Sequence, residues 1–126
     1  MKATKASKTK VKTSRQLALL CAKLVLEKKA FNLVLMDVRP WQSLMDYVLI
    51  CSATSPIQAQ TIARFIKDTL KQDNIHCLGT EGYGEGKWIL LDFSGIVIHI
   101  FYEYLRDVYD LETLWHDAKR IRTPTR

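Results

Sequence analysis

The sequence predicts an α/β fold of the α+β kind: one domain with a mixed five-stranded sheet and helices packed mainly on one face, in the order αββαβββα. Three observations predict it. Two apolar runs rich in β-branched and aromatic residues, Lys87 to Phe93 and Ile96 to Tyr102, flank Ser94-Gly95, which has the size and chemistry of a tight hairpin turn. Two other segments place apolar residues at helical spacing behind capping-box signals. A length of 126 residues suits one domain with a real core and is too short for two ordinary ones.

In chain order, Thr13-Ser14-Arg15-Gln16 has the capping-box spacing, and Leu17, Leu20, Cys21, Leu24 and Val25 follow on one helical face. Lys28 and Lys29 sit where the helix dipole favours cations, so the first helix is expected over about Ser14 to Lys29. Leu33 to Val38 and Asp46 to Ser52 read as strands. Arg39-Pro40-Trp41-Gln42-Ser43 separates them, because proline lacks the donor a ladder needs. Ser55-Pro56-Ile57-Gln58 is a second capping box with proline at the first helical position. Ala59, Ile62, Ala63, Ile66 and Leu70 form the buried stripe of that helix, which should stop near Asn74. A short strand is expected at Cys77 to Thr80, then a glycine-rich loop and the hairpin. The chain closes with a turn and a helix carrying Leu111, Leu114, Trp115 and Ala118.

The hairpin allows its register to be proposed. With a two-residue loop Phe93 faces Ile96, Leu91 faces Ile98, Leu90 faces His99 and Trp88 faces Phe101. Side chains alternate with period two, so Ile89, Leu91, Phe93, Ile96, Ile98 and Ile100 share a core face. The opposite face carries Trp88, Leu90, Asp92, Val97, His99 and Phe101, a mixture expected on a half-covered surface of the kind a partner docks on.

Charge is unevenly placed. Lys2, Lys5, Lys8, Lys10, Lys12 and Arg15 stand in the first 15 residues without an acid, whereas the rest of the chain balances 13 basic with 13 acidic side chains. Residues 1–12 therefore read as a basic disordered tail, residues 13–120 as the domain and 121–126 as a flexible end. The tail has two candidate roles, contact with RNA phosphates through Lys2, Lys5, Lys8, Lys10 and Lys12, or solubility alone. No window reaches ~18 consecutive apolar residues, and the basic start leads into an amphipathic helix rather than a secretory signal. Cys21, Cys51 and Cys77 are odd in number, far apart and in apolar contexts, which supports neither a disulfide framework nor a zinc site. A reducing, cytoplasmic setting is the expectation.

Candidate chemistry is sparse. Gly82-Tyr-Gly-Glu-Gly86 leads into a strand, whereas a phosphate loop leads into a helix, and Glu81 and Glu85 would repel an anion. It reads as a connection between strands. Asp92 and His99 lie diagonally on one hairpin face, but a nucleophile or third ligand is missing, so they read as structure or contact surface. Cys51 reads as a small core residue and not a thiolate. His76 and His116 stand alone. Trp115 fits a core position at helical spacing with Leu111 and Leu114, and Trp88 fits a surface anchor.

Taken together, Asp46-Tyr-Val-Leu-Ile-Cys-Ser-Ala-Thr-Ser55, Glu81-Gly82, Lys87-Trp88-Ile-Leu-Leu-Asp92, Val97-Ile-His99-Ile-Phe101 and Tyr109-Asp-Leu-Glu-Thr-Leu-Trp115 resemble the ribosomal silencing factor family, also called Iojap-like, across about residues 16–117. The resemblance implies a domain shaped like a nucleotidyltransferase but without that activity, and no cofactor or metal. It implies binding to ribosomal protein L-fourteen on the large ribosomal subunit, which obstructs joining of the small subunit and lowers translation when nutrients are scarce. It also suggests a homodimer, sharing the same apolar surface. Carried over position by position, the partner-binding residues are Glu81, Gly82, Lys87, Trp88 and Asp92, with His99, Tyr109, Leu111 and Trp115 on further matching positions. Ser94-Gly95 stands where the family commonly has Gly-Asp, Ala53 where glycine is frequent, and Pro56-Ile57 in place of a more polar pair. Two other readings are a nucleotidyltransferase-like enzyme using Asp46, Asp92 and His99, and an RNA-binding protein driven by its tail. Against the first, no Gly-Ser turn precedes Asp46 and no second carboxylate accompanies it on its strand.

Overall fold

A computed structural model describes residues 11–41 and 44–123. Its elements are α1 (Ser14–Glu27), β1 (Phe31–Asp37), β2 (Tyr47–Ala53), α2 (Pro56–Gln72), β3 (Gly79–Glu81), β4 (Trp88–Phe93), β5 (Ile96–Tyr102), α3 (Glu103–Tyr109), a 3-10 helix (Leu111–Trp115) and β6 (Lys119–Ile121). The sheet runs β3-β4-β5-β2-β1-β6. β2 and β5 pair in parallel and every other neighbour is antiparallel, giving the mixed sheet expected.

Local signals set the helices. Thr13 accepts the Gln16 N–H while the Gln16 side chain accepts the Thr13 N–H, so the first capping box is complete. At α2 the box is half formed: Ser55 accepts the Gln58 N–H, but the Gln58 side chain accepts from Thr54 and donates to the Lys28 and Lys29 carbonyls. Gln58 thus ties the start of α2 to the end of α1. The hairpin has the proposed register at every pair from Phe93↔Ile96 to Trp88↔Phe101, with Gly95 at φ +91°. Ser94-Gly95 therefore closes it as a two-residue turn.

The sheet separates two apolar clusters. The larger lies under α1 and α2 and contains the whole predicted core face of the hairpin, each of those six residues being buried. The smaller lies on the other side, where Met36, Val38, Val48, Ile50, Phe101 and Ala118 are buried and Trp88, Leu105, Leu111 and Trp115 pack against them. Val97, His99 and Phe101 are therefore buried, not half-covered as expected; Trp88, Leu90 and Asp92 remain partly exposed. At Phe101 the cover comes from α3, which follows β5 directly and folds back so that Leu105 and Tyr109 pack there, an event that strand periodicity does not encode.

Three further differences arise at the C-terminal end. The terminal helix divides into α3 and a 3-10 helix at Asp110, which adopts φ +47°. Leu111 and Trp115 pack against the smaller cluster, as their helical spacing led one to expect, but Leu114 is 68% exposed. A sixth strand, β6, pairs with β1, so order extends to Ile121, past the expected domain end at residue 120. Lys119-Arg120-Ile121 is too short and polar for alternation to reveal; its ladder comes from the free edge of β1. No helix among the described residues is long and apolar enough to cross a membrane.

Candidate functional site: an aromatic cleft beside the hairpin

Trp88 opens β4 and its indole lies over the ring of Phe101, 5.0 Å between centroids, with Tyr109 of α3 closing on it at 4.5 Å. The indole N–H donates to His99 Nδ1 at 3.1 Å. An indole nitrogen can only donate, so Nδ1 is unprotonated and the neutral His99 ring carries its proton on Nε2. The half-buried indole thus offers a partner ring surface rather than a hydrogen bond. A cleft of about 380 Å³ opens at this point, lined by Gly82, Gly84, Glu85, Lys87, Trp88, Leu105 and Tyr109.

Two devices hold the cleft walls. The loop from Gly82 to Gly86 connects β3 and β4; the Gly86 N–H donates to the Gly82 carbonyl, and Gln60 of α2 donates to the carbonyls of Tyr83 and Gly84. Gly82 sits at φ +77°, and a Cβ there would lie 2.1 Å from the Trp88 carbonyl oxygen. Gly82→Ala is expected to destabilise the chain by about 2 kcal/mol in urea unfolding, since both dihedral and contact oppose a side chain. A difference below ~0.5 kcal/mol would show that the loop yields cheaply.

The second device is Arg106, which the sequence did not single out. Its guanidinium is buried and donates to Glu112 through Nε at 3.3 Å and Nη2 at 3.1 Å, to Ser52 Oγ of β2 at 2.9 Å and to the Asn32 carbonyl of β1. One side chain thereby joins α3, the 3-10 helix and two strands. A lone arginine six residues from a glutamate fits no helical pairing rule, so local spacing carries no signal of it.

Among the other sequence candidates, Glu81 is exposed at the end of β3, Asp92 is partly exposed, and Leu111 and Trp115 lean on the smaller cluster. Gly82, Lys87, Trp88 and Tyr109 meet in the cleft. Lys12 is exposed and its backbone N–H donates to Gln16; Lys2, Lys5, Lys8 and Lys10 lie outside the described residues. The cleft lining carries one acid, Glu85, and one base, Lys87, and the segment from 103 to 118 that supplies Leu105 and Tyr109 holds Glu103, Asp107, Asp110, Glu112 and Asp117 with one cation, Arg106, itself bound to Glu112. The α1 and α2 layer has the opposite balance, with Arg15, Lys23, Lys28, Lys29, Arg64, Lys67 and Lys71 against Glu27, Asp68 and Asp73.

Asp46, Asp92 and His99 do not converge. Asp46 accepts the Ser14 hydroxyl of α1 at 2.6 Å, while His99 is bonded to Trp88 on the other side of the sheet. Among the described residues no three His, Cys, Asp or Glu side chains are grouped to hold a metal ion. Burial pushes the Cys21 and Cys51 thiols up to about 12, which suits core packing and not nucleophilic work.

Burial also lowers His99 to about 4 from its ordinary 6.5. Between those values the unfolded chain binds the proton more readily than the folded one. Stability is therefore full above pH 6.5 and declines as the pH falls towards 4, by on the order of 3 kcal/mol. Urea midpoints at pH 7.5, 5.5 and 4.5 should show this decline, and His99→Asn, which keeps an acceptor for the indole, should flatten it. Equal slopes in both proteins would assign the acid sensitivity elsewhere.

The fold and this cleft define a class: a small α/β body with a structured aromatic cleft beside its hairpin. Residues 11–126 match the family model described as ribosomal silencing factor during starvation. The chain is 38% identical over 92 residues to the ribosomal silencing factor RsfS of Bacillus subtilis, covering 73% of this chain and 78% of that one. It is 32% identical over 109 residues to that of Halalkalibacterium halodurans, covering 86% and 93%. A crystal structure from Bacillus halodurans superposes with a TM-score of 0.77 at 30% identity, covering 86% of this chain and 98% of that one. This chain belongs to the ribosomal silencing factor family.

Proposed function

We propose that this chain binds the large ribosomal subunit through ribosomal protein L-fourteen and blocks joining of the small subunit by occupying its place, so repressing translation under nutrient limitation. The reading rests on one observation above others: a pre-formed aromatic cleft at Trp88 and Tyr109, built from backbone and side chains that the fold already holds in place. Tyr109 is 51% exposed, and Tyr104, Val108 and Leu114 add exposed apolar surface on the same helical segment. Apolar surface on a segment rich in acids suits a basic protein partner, the rings supplying contact area and the charges steering the encounter. Steric blocking makes and breaks no bond, so affinity and abundance set the effect. The place of action is the cytoplasm, where subunits meet.

The test is sedimentation of separated subunits with the protein and with Tyr109→Ala, which removes an exposed ring and little core. The unsubstituted protein should travel with large subunits and reduce joining, and Tyr109→Ala should weaken that binding about tenfold. Unchanged joining in the presence of excess protein would refute the blocking role. A homodimer through the same face would hide the cleft, so the dimer should dissociate on binding; co-sedimentation of two copies per subunit would contradict that arrangement.

A further inference from the structure

The cations of the α2 layer are gathered along one line. Gln60, Arg64, Lys67 and Lys71 recur at the helical period and face the edge strand β3 and its loop, as the bonds from Gln60 to Tyr83 and from Arg64 to the Tyr83 hydroxyl show. Two adjoining clefts of about 420 and about 240 Å³ share Lys67 and Asp68 and make one groove between α2 and β3. Arg64 and Tyr83 wall one end; Lys71 and His76 wall the other. From Arg64 to Lys71 the helix rises about 10.5 Å, so the three cations follow a track rather than a point.

We infer that this groove binds an unpaired segment of RNA, with Lys67 and Lys71 on successive phosphates and the Arg64–Tyr83 pair offering a flat face to a base. Charge complementarity selects the occupant. Three cations face one lining acid, Asp68, and the Arg64 guanidinium lies 6.0 Å from the Tyr83 ring centroid, a cation and aromatic pair on which a base can stack. β3 is only three residues long, which gives little ladder for an added peptide strand. The groove opens beside α2, not in the aromatic cleft under α3, so it is a second contact surface that does not depend on docking through Trp88.

The test uses the full chain and a fluorescein-labelled 15-nucleotide oligouridylate, followed by anisotropy from 50 to 200 mM salt. K67Q/K71Q leaves Arg64 and Tyr83 in place, so circular dichroism and the thermal midpoint should match the parent. Its affinity at 50 mM salt should fall at least tenfold. The slope of log affinity against log salt should shrink by about 1.4, since each phosphate contact on a single strand contributes about 0.7. Tyr83→Leu should weaken binding several-fold without changing that slope. K2Q/K5Q/K8Q/K10Q should retain most of the binding. The inference is overturned if K67Q/K71Q binds within threefold of the parent, if only the arm substitutions abolish binding, or if polyglutamate occupies the groove while the oligouridylate does not.

Discussion

Arg106→Ala is expected to destabilise the protein by about 3 to 5 kcal/mol, the range for breaking a buried pair by removing one partner. The guanidinium is the point where α3, the 3-10 helix, β1 and β2 are joined, and its loss leaves Glu112, Ser52 and the Asn32 carbonyl without that donor. Urea unfolding measures the cost. Glu112 is more open than Arg106, with side-chain exposures of 25% and 9%, so Glu112→Ala should cost less. The double variant should cost no more than Arg106→Ala alone, because the two groups act as one unit. Strict additivity of the two single losses would show that the ion pair is not the coupling element. Since α3 carries Tyr109 and Leu105, loosening this clamp should also open the aromatic cleft and weaken binding to the large subunit under the proposed reading.

Trp88→Ala should reduce binding to large subunits by about thirtyfold, on the order of 2 kcal/mol. The ring is partly buried against Phe101 and Tyr109, so its removal takes away both partner contact and one wall of the cleft. Trp88→Phe separates the two effects. Phenylalanine keeps an aromatic ring over Phe101 but cannot donate to His99 Nδ1. It is expected to lose about 1 kcal/mol of stability, the worth of an ordinary hydrogen bond, and to bind within about threefold of the parent. A folded Trp88→Ala that still prevents subunit joining as well as the parent would move the docking surface away from this cleft.

Much of this site could be read along the chain. Gly82, Lys87 and Tyr109 rest on the family resemblance, and hairpin alternation by itself puts Trp88, Asp92 and His99 on one face. What that alternation left open was who covers the face. Phe101 is sealed because α3 turns back across β5, and the Trp88 indole bonds to His99 instead of waiting for a partner. Leu114 lies exposed in the 3-10 helix that follows Asp110, and Arg106 matters because of residues 54 and 74 positions away.

The sequence by itself determined the first two helices, the hairpin and its register, and the division of the hairpin into an aliphatic and an aromatic side. These follow from interactions between residues a few positions apart: caps, a period of 3.6 or 2, and a two-residue turn. Only the tertiary structure decided the sixth strand, the second apolar cluster, the Arg106 clamp and the groove along α2. Each of those depends on where chain segments far apart in sequence come to rest, and no local periodicity records that.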